Sequence, residues 1–64
     1  MTLFSYEIFD AVARQGSFNK AAQQLHLTPS AISQAIAVME EELGFALFNR
    51  GKNGVSMTSY GASL

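Results

Sequence analysis

No cysteine occurs among the 64 residues, so no disulfide can staple the fold. A single histidine argues against a structural zinc site. No stretch approaches the roughly 18 apolar residues of a membrane span, and Met1 is not followed by the basic and apolar runs of a signal peptide. A soluble protein of the cytoplasm is therefore expected. There is no Gly-rich phosphate loop, and the clustered glutamates have no partner at a catalytic spacing. The residues of nucleophilic, metal and nucleotide chemistry are missing, so neither an enzyme nor a cofactor is expected.

Charge is scarce as well. Four Lys and Arg face five Asp and Glu, for a net charge of −1. Nucleic-acid modules are usually basic, but the distribution matters more than the sum. Three of the acids are Glu40, Glu41 and Glu42, whereas Gly16 to Met39 holds Lys20 and no acid at all. Hydrophobic residues make up 48% of the chain, enough to build a core from aliphatic and aromatic packing alone. A chain of about 60 residues buries only roughly 60% of its unfolded surface, so one small domain of marginal stability is expected.

The apolar spacing is helical through the first two thirds. Residues 2–15 carry Phe4, Ile8, Phe9, Val12 and Ala13 as a stripe, with Ser5, Asp10 and Arg14 facing out. Gly16 fits the left-handed position that ends such a helix, and Ser17 caps the next. Phe18, Ala21, Ala22 and Leu25 then fall at i, i+3, i+4, i+7. The phase breaks at His26-Leu27-Thr28-Pro29, where Thr28 caps and Pro29 opens a third helix. Leu27 and Ile32 occupy the positions of a hydrophobic staple. From Pro29 to Leu43, Ile32, Ile36, Met39 and Leu43 run down one side with Ala35 beside them. Ser30, Ser33, Gln34 and Ala37 take the other. At 1.5 Å per residue this helix is roughly 22 Å long. Gly44 ends it, and Phe45 is placed to fold back on Met39. Two helices joined by so short a turn, the second presenting a small polar face, make a helix-turn-helix.

Beyond Gly44 the pattern becomes extended. Residues 46–50 and 55–58 read as short strands around Gly51-Lys52-Asn53-Gly54, with Asn53-Gly54 a strong hairpin signal. Thr58 then caps a last helix that has barely one turn of sequence. The fold class is mostly α: a winged helix-turn-helix with a three-helix core, a two-stranded β wing over residues 1–57, and the start of a linker helix over 58–64.

The order GSFNKAAQQLHLTPSAISQAIAVMEEELG, then LFNR, a Gly-rich turn and VSMTSYG closely resembles the N-terminal winged helix-turn-helix domain of LysR-type transcriptional regulators. The resemblance covers essentially the whole chain. It implies a bacterial DNA-binding protein that forms a homodimer through the linker helix on a pseudo-palindromic operator. It also implies a small-molecule effector bound by a C-terminal domain that these 64 residues do not contain. Many members carry arginine at the position of Gln34 and basic residues at those of Ala37 and Val38.

The candidate site follows from both lines. Thr28, Pro29, Ser30, Ser33, Gln34 and Ala37 are placed to read base edges in the major groove. Gln pairs bidentately with adenine, and small apolar groups contact thymine methyls. With no arginine on this face, A·T-leaning readout is expected. Ser17, Phe18, Asn19 and Lys20, at the start of the second helix, and Arg50 and Lys52, on the wing, are placed on the sugar–phosphate backbone. Arg50 has an alternative partner in Glu40 or Glu41, and Ser17 in its own helix cap. His26 reads as a turn residue. The phenylalanines (Phe4, Phe9, Phe18, Phe45, Phe48) read as core, and Tyr60 as a candidate dimer contact. The competing readings are a winged-helix protein-interaction module without DNA binding, or a winged-helix regulator of another family.

Overall fold

Thr2 stands just outside the first helix, in extended backbone, and its Oγ1 accepts the Ser5 N–H at 3.1 Å. Helix α1 therefore runs Leu3–Gln15, one residue shorter than expected because Thr2 serves as its cap. The computed structural model describes residues 2–51 and 54–62, without the side chain of Tyr60. After α1 come α2 (Phe18–Leu25), α3 (Pro29–Leu43), β1 (Phe48–Gly51), β2 (Gly54–Met57) and α4 (Ser59–Ala62).

The three long helices surround one core of Ile8, Phe9, Ala11, Val12, Ala21, Ala22, Ile32, Ile36 and Met39, closed by Leu47 and Phe48 from the wing side. Ala35, Leu43 and Phe45 pack at its edge as the spacing predicts. Phe4 does not. It is 54% exposed, with Leu3 and Tyr6 beside it. It shares the face of Ile8 but lies in the first turn, where that face is uncovered. Ala11 is buried in its stead.

Helix ends follow the local chemistry. Gly16 and Gly44 take left-handed backbone (φ 64° and 81°) and return their N–H groups to Val12 and Glu40 carbonyls. His26 ends α2 in the same conformation (φ 58°) although it has a Cβ. Its N–H bonds Gln23 O and the Leu27 N–H bonds Ala22 O at 2.8 Å, a Schellman stop built on a residue that carries strain there. Thr28 Oγ1 accepts the Ala31 N–H at 3.1 Å, with Pro29 at the first helical position.

The wing is an antiparallel pair with Phe48 opposite Met57 and Gly51 opposite Gly54. Both strands differ from the expected 46–50 and 55–58. Leu47 turns its N–H away from the ladder to Glu40 Oε2 at 2.7 Å, and Thr58 leaves it to cap α4. Glu40 is thus half-buried and bonded rather than part of a solvated helix end, because the chain reverses at Gly44 and returns over the last turn of α3. Gly54 is a strand residue, not the centre of an Asn-Gly turn. Its φ is 117°, and a Cβ there would stand 2.7 Å from Gly16 O. Next to it Val55 donates its N–H to Gly16 O at 3.1 Å, docking the wing on the α1–α2 junction. Asn53 and Lys52 lie outside the described residues.

Thr58 fastens the last helix. Its N–H reaches Leu47 O at 2.9 Å, its Oγ1 donates to Ala46 O at 2.6 Å, and the same oxygen accepts the Gly61 N–H at 3.0 Å. Gly61 lies so close to Leu47 that a Cβ would stand 2.5 Å from the Leu47 carbonyl oxygen.

Candidate nucleic-acid interface

Helix α3 buries Ile32, Ile36 and Met39, which leaves the opposite face open. Pro29, Ser30, Gln34 and Ala37 are exposed, as is Thr28 at the cap. Thr28 Oγ1 is already accepting the Ala31 N–H, so its free capacity is its own proton, one lone pair and its methyl group. Ser33 stands apart from these. It is half-buried and accepts a hydrogen bond from Arg50 Nη2 at 3.2 Å. The structure thus places five of the six proposed base readers on open surface and turns the sixth towards the wing.

A second group gathers where α2 begins. Ser17 lies in extended backbone (φ −159°) and its Oγ accepts the Lys20 N–H at 3.2 Å, so the capping role is realised. That bond uses the amide of Lys20. The Phe18 and Asn19 amides, at the first two helical positions, have no partner within the helix. Ser17, Phe18 and Asn19 line a groove of about 240 Å³ with Arg50, Gly51, Gly54 and Val55 from the wing. Lys20 is exposed on the same turn but does not line the groove. Lys52 lies outside the described residues, as does the side chain of Tyr60.

Arg50 does not pair with Glu40 or Glu41. Glu40 is engaged by the Leu47 N–H, and the Arg50 guanidinium lies over the Phe18 ring, Cζ 4.4 Å from its centroid. Phe18 in turn meets Phe48 edge-on (6.4 Å, 81°), and Phe48 packs on Phe9 at 5.3 Å. Helical spacing assigns Phe18 to the core and gives no sign of a cation above it. Arg50 follows Phe48 by two in LFNR and so shares its strand face, but its pairing with Phe18 joins β1 to α2 and leaves no local pattern. The other arginine, Arg14, is held by Asp10 at 2.9 Å on the exposed side of α1.

The arrangement presents an acid-free helix face flanked by a groove that offers helix-start amides, hydroxyls and a cation. That is a surface for a polyanion with readable edges. Among the described residues, no group of three or more His, Asp and Glu is placed to hold a metal ion. Among the described residues, no helix is long and apolar enough to cross a membrane.

The model of the bacterial regulatory helix-turn-helix proteins of the lysR family matches residues 3–62. This chain belongs to that family. Among relatives of the lysR family, the HTH-type transcriptional regulator PunR of Escherichia coli K12 is 49% identical over 59 residues, covering 92% of this chain and 19% of that protein. Solved structures agree on the fold. The BenM DBD complex with benA site 1 DNA superimposes with a TM-score of 0.93 at 38% identity, covering 98% of this chain and 71% of that one. The CbnR DBD–DNA complex gives 0.93 at 30% identity, covering 98% and 72%. The lysR-family architecture of three helices and a two-stranded wing is the one described above. The chain spans about a fifth of the length of most of the curated relatives it matches.

Proposed function

We propose that this chain is the sequence-reading DNA-binding domain of a transcriptional regulator, with residues 1–57 forming the winged helix-turn-helix and 58–64 opening the linker helix. The observation that carries this is the division of its surface. The open face of α3 holds Thr28, Pro29, Ser30, Gln34 and Ala37 without an acid. Beside it stands the groove of Ser17, Phe18, Asn19 and Arg50. Entry of α3 into a major groove puts the first set on base edges and the second on the flanking phosphates. Lys20 and Lys52 reinforce the backbone contact. The same reading places the protein in the bacterial cytoplasm, on double-stranded DNA. The BenM and CbnR domains in the structures above are bound to DNA, which supports the same role here.

Pairing through the linker helix puts two such faces on a pseudo-palindromic site, with half-sites about one helical turn apart or a multiple of it. Thr58 supports this by fixing the direction in which α4 leaves the wing. Four cations per subunit neutralise at most about eight phosphates in a dimer, which bounds the log–log salt slope near −7.

Selection from a pool of random duplexes at low salt tests the reading. An A·T-leaning pseudo-palindrome is the expected product. Guanine-dominated half-sites contradict the roles given to Gln34 and Ala37. If neither this chain nor a version extended through the linker helix retains any duplex, the DNA reading is lost and a protein partner takes its place.

A further inference from the structure

Three elements converge on one cation. Arg50 comes from β1, the ring beneath it from the first turn of α2, and the hydroxyl it bonds from α3. Among the described residues no carboxylate lies within ion-pair distance of this guanidinium, although Glu40, Glu41 and Glu42 are all on α3. It is held in place by an aromatic face and a neutral oxygen while its charge stays unneutralised. An arginine on an exposed strand otherwise samples many rotamers, and binding has to arrest that motion first. The Phe18 ring, itself braced on Phe48, removes that motion in advance.

We propose that Phe18 is a positioning residue for DNA binding: its ring presets Arg50 against Ser33, so that wing and reading helix form a single phosphate clamp. The proposal rests on the DNA-binding reading above and deepens it. It also reassigns Ser33. Because Ser33 Oγ accepts from Arg50 Nη2, the hydroxyl has one proton left to donate. Arg50 retains free N–H donors of its own. Two donors side by side suit one anionic acceptor, so Ser33 serves the DNA backbone with Arg50 and leaves base reading to Thr28, Pro29, Ser30, Gln34 and Ala37. If the Phe18 ring were there only to fill space beside Phe48, a leucine of similar apolar volume would serve as well.

That contrast sets the experiment. Binding of the 64-residue chain to a mixed-sequence duplex of about 20 base pairs is followed by fluorescence anisotropy across a salt series. The wild type is compared with Phe18→Leu, Phe18→Tyr, Arg50→Ala and the Phe18→Leu/Arg50→Ala double variant. Arg50→Ala lowers the salt slope by about 0.9. Phe18→Leu weakens binding roughly two- to fivefold and moves the slope towards that of Arg50→Ala. Phe18→Tyr, which keeps the ring face, retains both. In the Arg50→Ala background Phe18→Leu has no further effect on binding. Equal losses from Phe18→Leu in both backgrounds overturn the proposal while leaving DNA binding intact. A wild type that binds no duplex at any salt, either as this chain or extended through the linker helix, overturns the DNA reading itself, and the proposal with it. The free wild-type protein supplies a check that needs no variant to fold: the Arg50 δ and ε protons resonate upfield under the ring current of Phe18. Unshifted protons overturn the proposal.

Discussion

From Leu3 to Leu43 the chain is fixed by what its side chains bury, whereas from Ala46 to Ala62 it is fixed largely by what its backbone touches. The helices share a core in which Ile8, Val12, Ala21, Ile32, Ile36 and Met39 are at most 1% exposed. The wing contributes Leu47 and Phe48 to that core and little else. It is held by the Val55–Gly16 bond, by Glu40 on the Leu47 N–H, by Thr58 on Ala46 and Leu47, and by two glycines pressed against carbonyls. The difference matters for function. A reading helix needs a rigid seat, which burial provides. A backbone clamp needs a strand brought to a set distance from a helix start, which glycine contacts provide.

The two kinds of support should break differently. The largest effect is expected inside the helical core. Ile36→Ala removes a side chain that is 1% exposed and costs about 2–5 kcal/mol. In a domain of this size that brings most or all of the molecule down, read as loss of the helical circular dichroism signal at 25 °C. Gly54→Ala attacks the wing instead. A methyl group 2.7 Å from Gly16 O at a φ of 117° forces the strand off the α1–α2 junction, at a cost of about 1–3 kcal/mol. The expected outcome is faster amide exchange at Val55 with helical dichroism kept. Equal loss of helix and wing would mean that the two regions share one support. His26→Gly goes the other way and is the smallest. Relief of left-handed strain, less the added freedom of the unfolded chain, stabilises by about 0.5–1 kcal/mol. Thermal unfolding checks it, with a midpoint raised by several degrees.

How far the sequence was legible follows the same divide. Helical spacing located α1, α2 and α3, because burial leaves a period that letters record. Caps at Ser17, Thr28, Gly16 and Gly44 were equally readable, since each is a single residue doing local chemistry. Phe4 misled because spacing reports a helix face, not where along it the cover ends. The start of β1 and the work of Gly54 were out of reach: the first is set by Glu40 drawing off the Leu47 N–H, the second by the carbonyl of Gly16, some 38 positions earlier. Gly61 did leave a trace. A glycine inside a helix is unfavourable by about 1 kcal/mol against alanine, and its presence three residues after a capping threonine points to a close backbone neighbour. In the interface, the open face of α3 was legible from the same period that found its core. The Arg50–Phe18–Ser33 contact was not, because it joins three elements whose docking no local pattern encodes.

The central claim is a division of labour, with α3 choosing the sequence and the wing arginine holding the duplex. Measuring the affinities of Gln34→Ala and Arg50→Ala over a panel of single-base variants of the selected site tests it most directly. The account predicts that Arg50→Ala weakens every site by the same factor. Gln34→Ala then flattens discrimination at one position, by about 1–3 kcal/mol, and leaves the others unchanged. A base preference that changes with Arg50, or a uniform loss from Gln34, would contradict it.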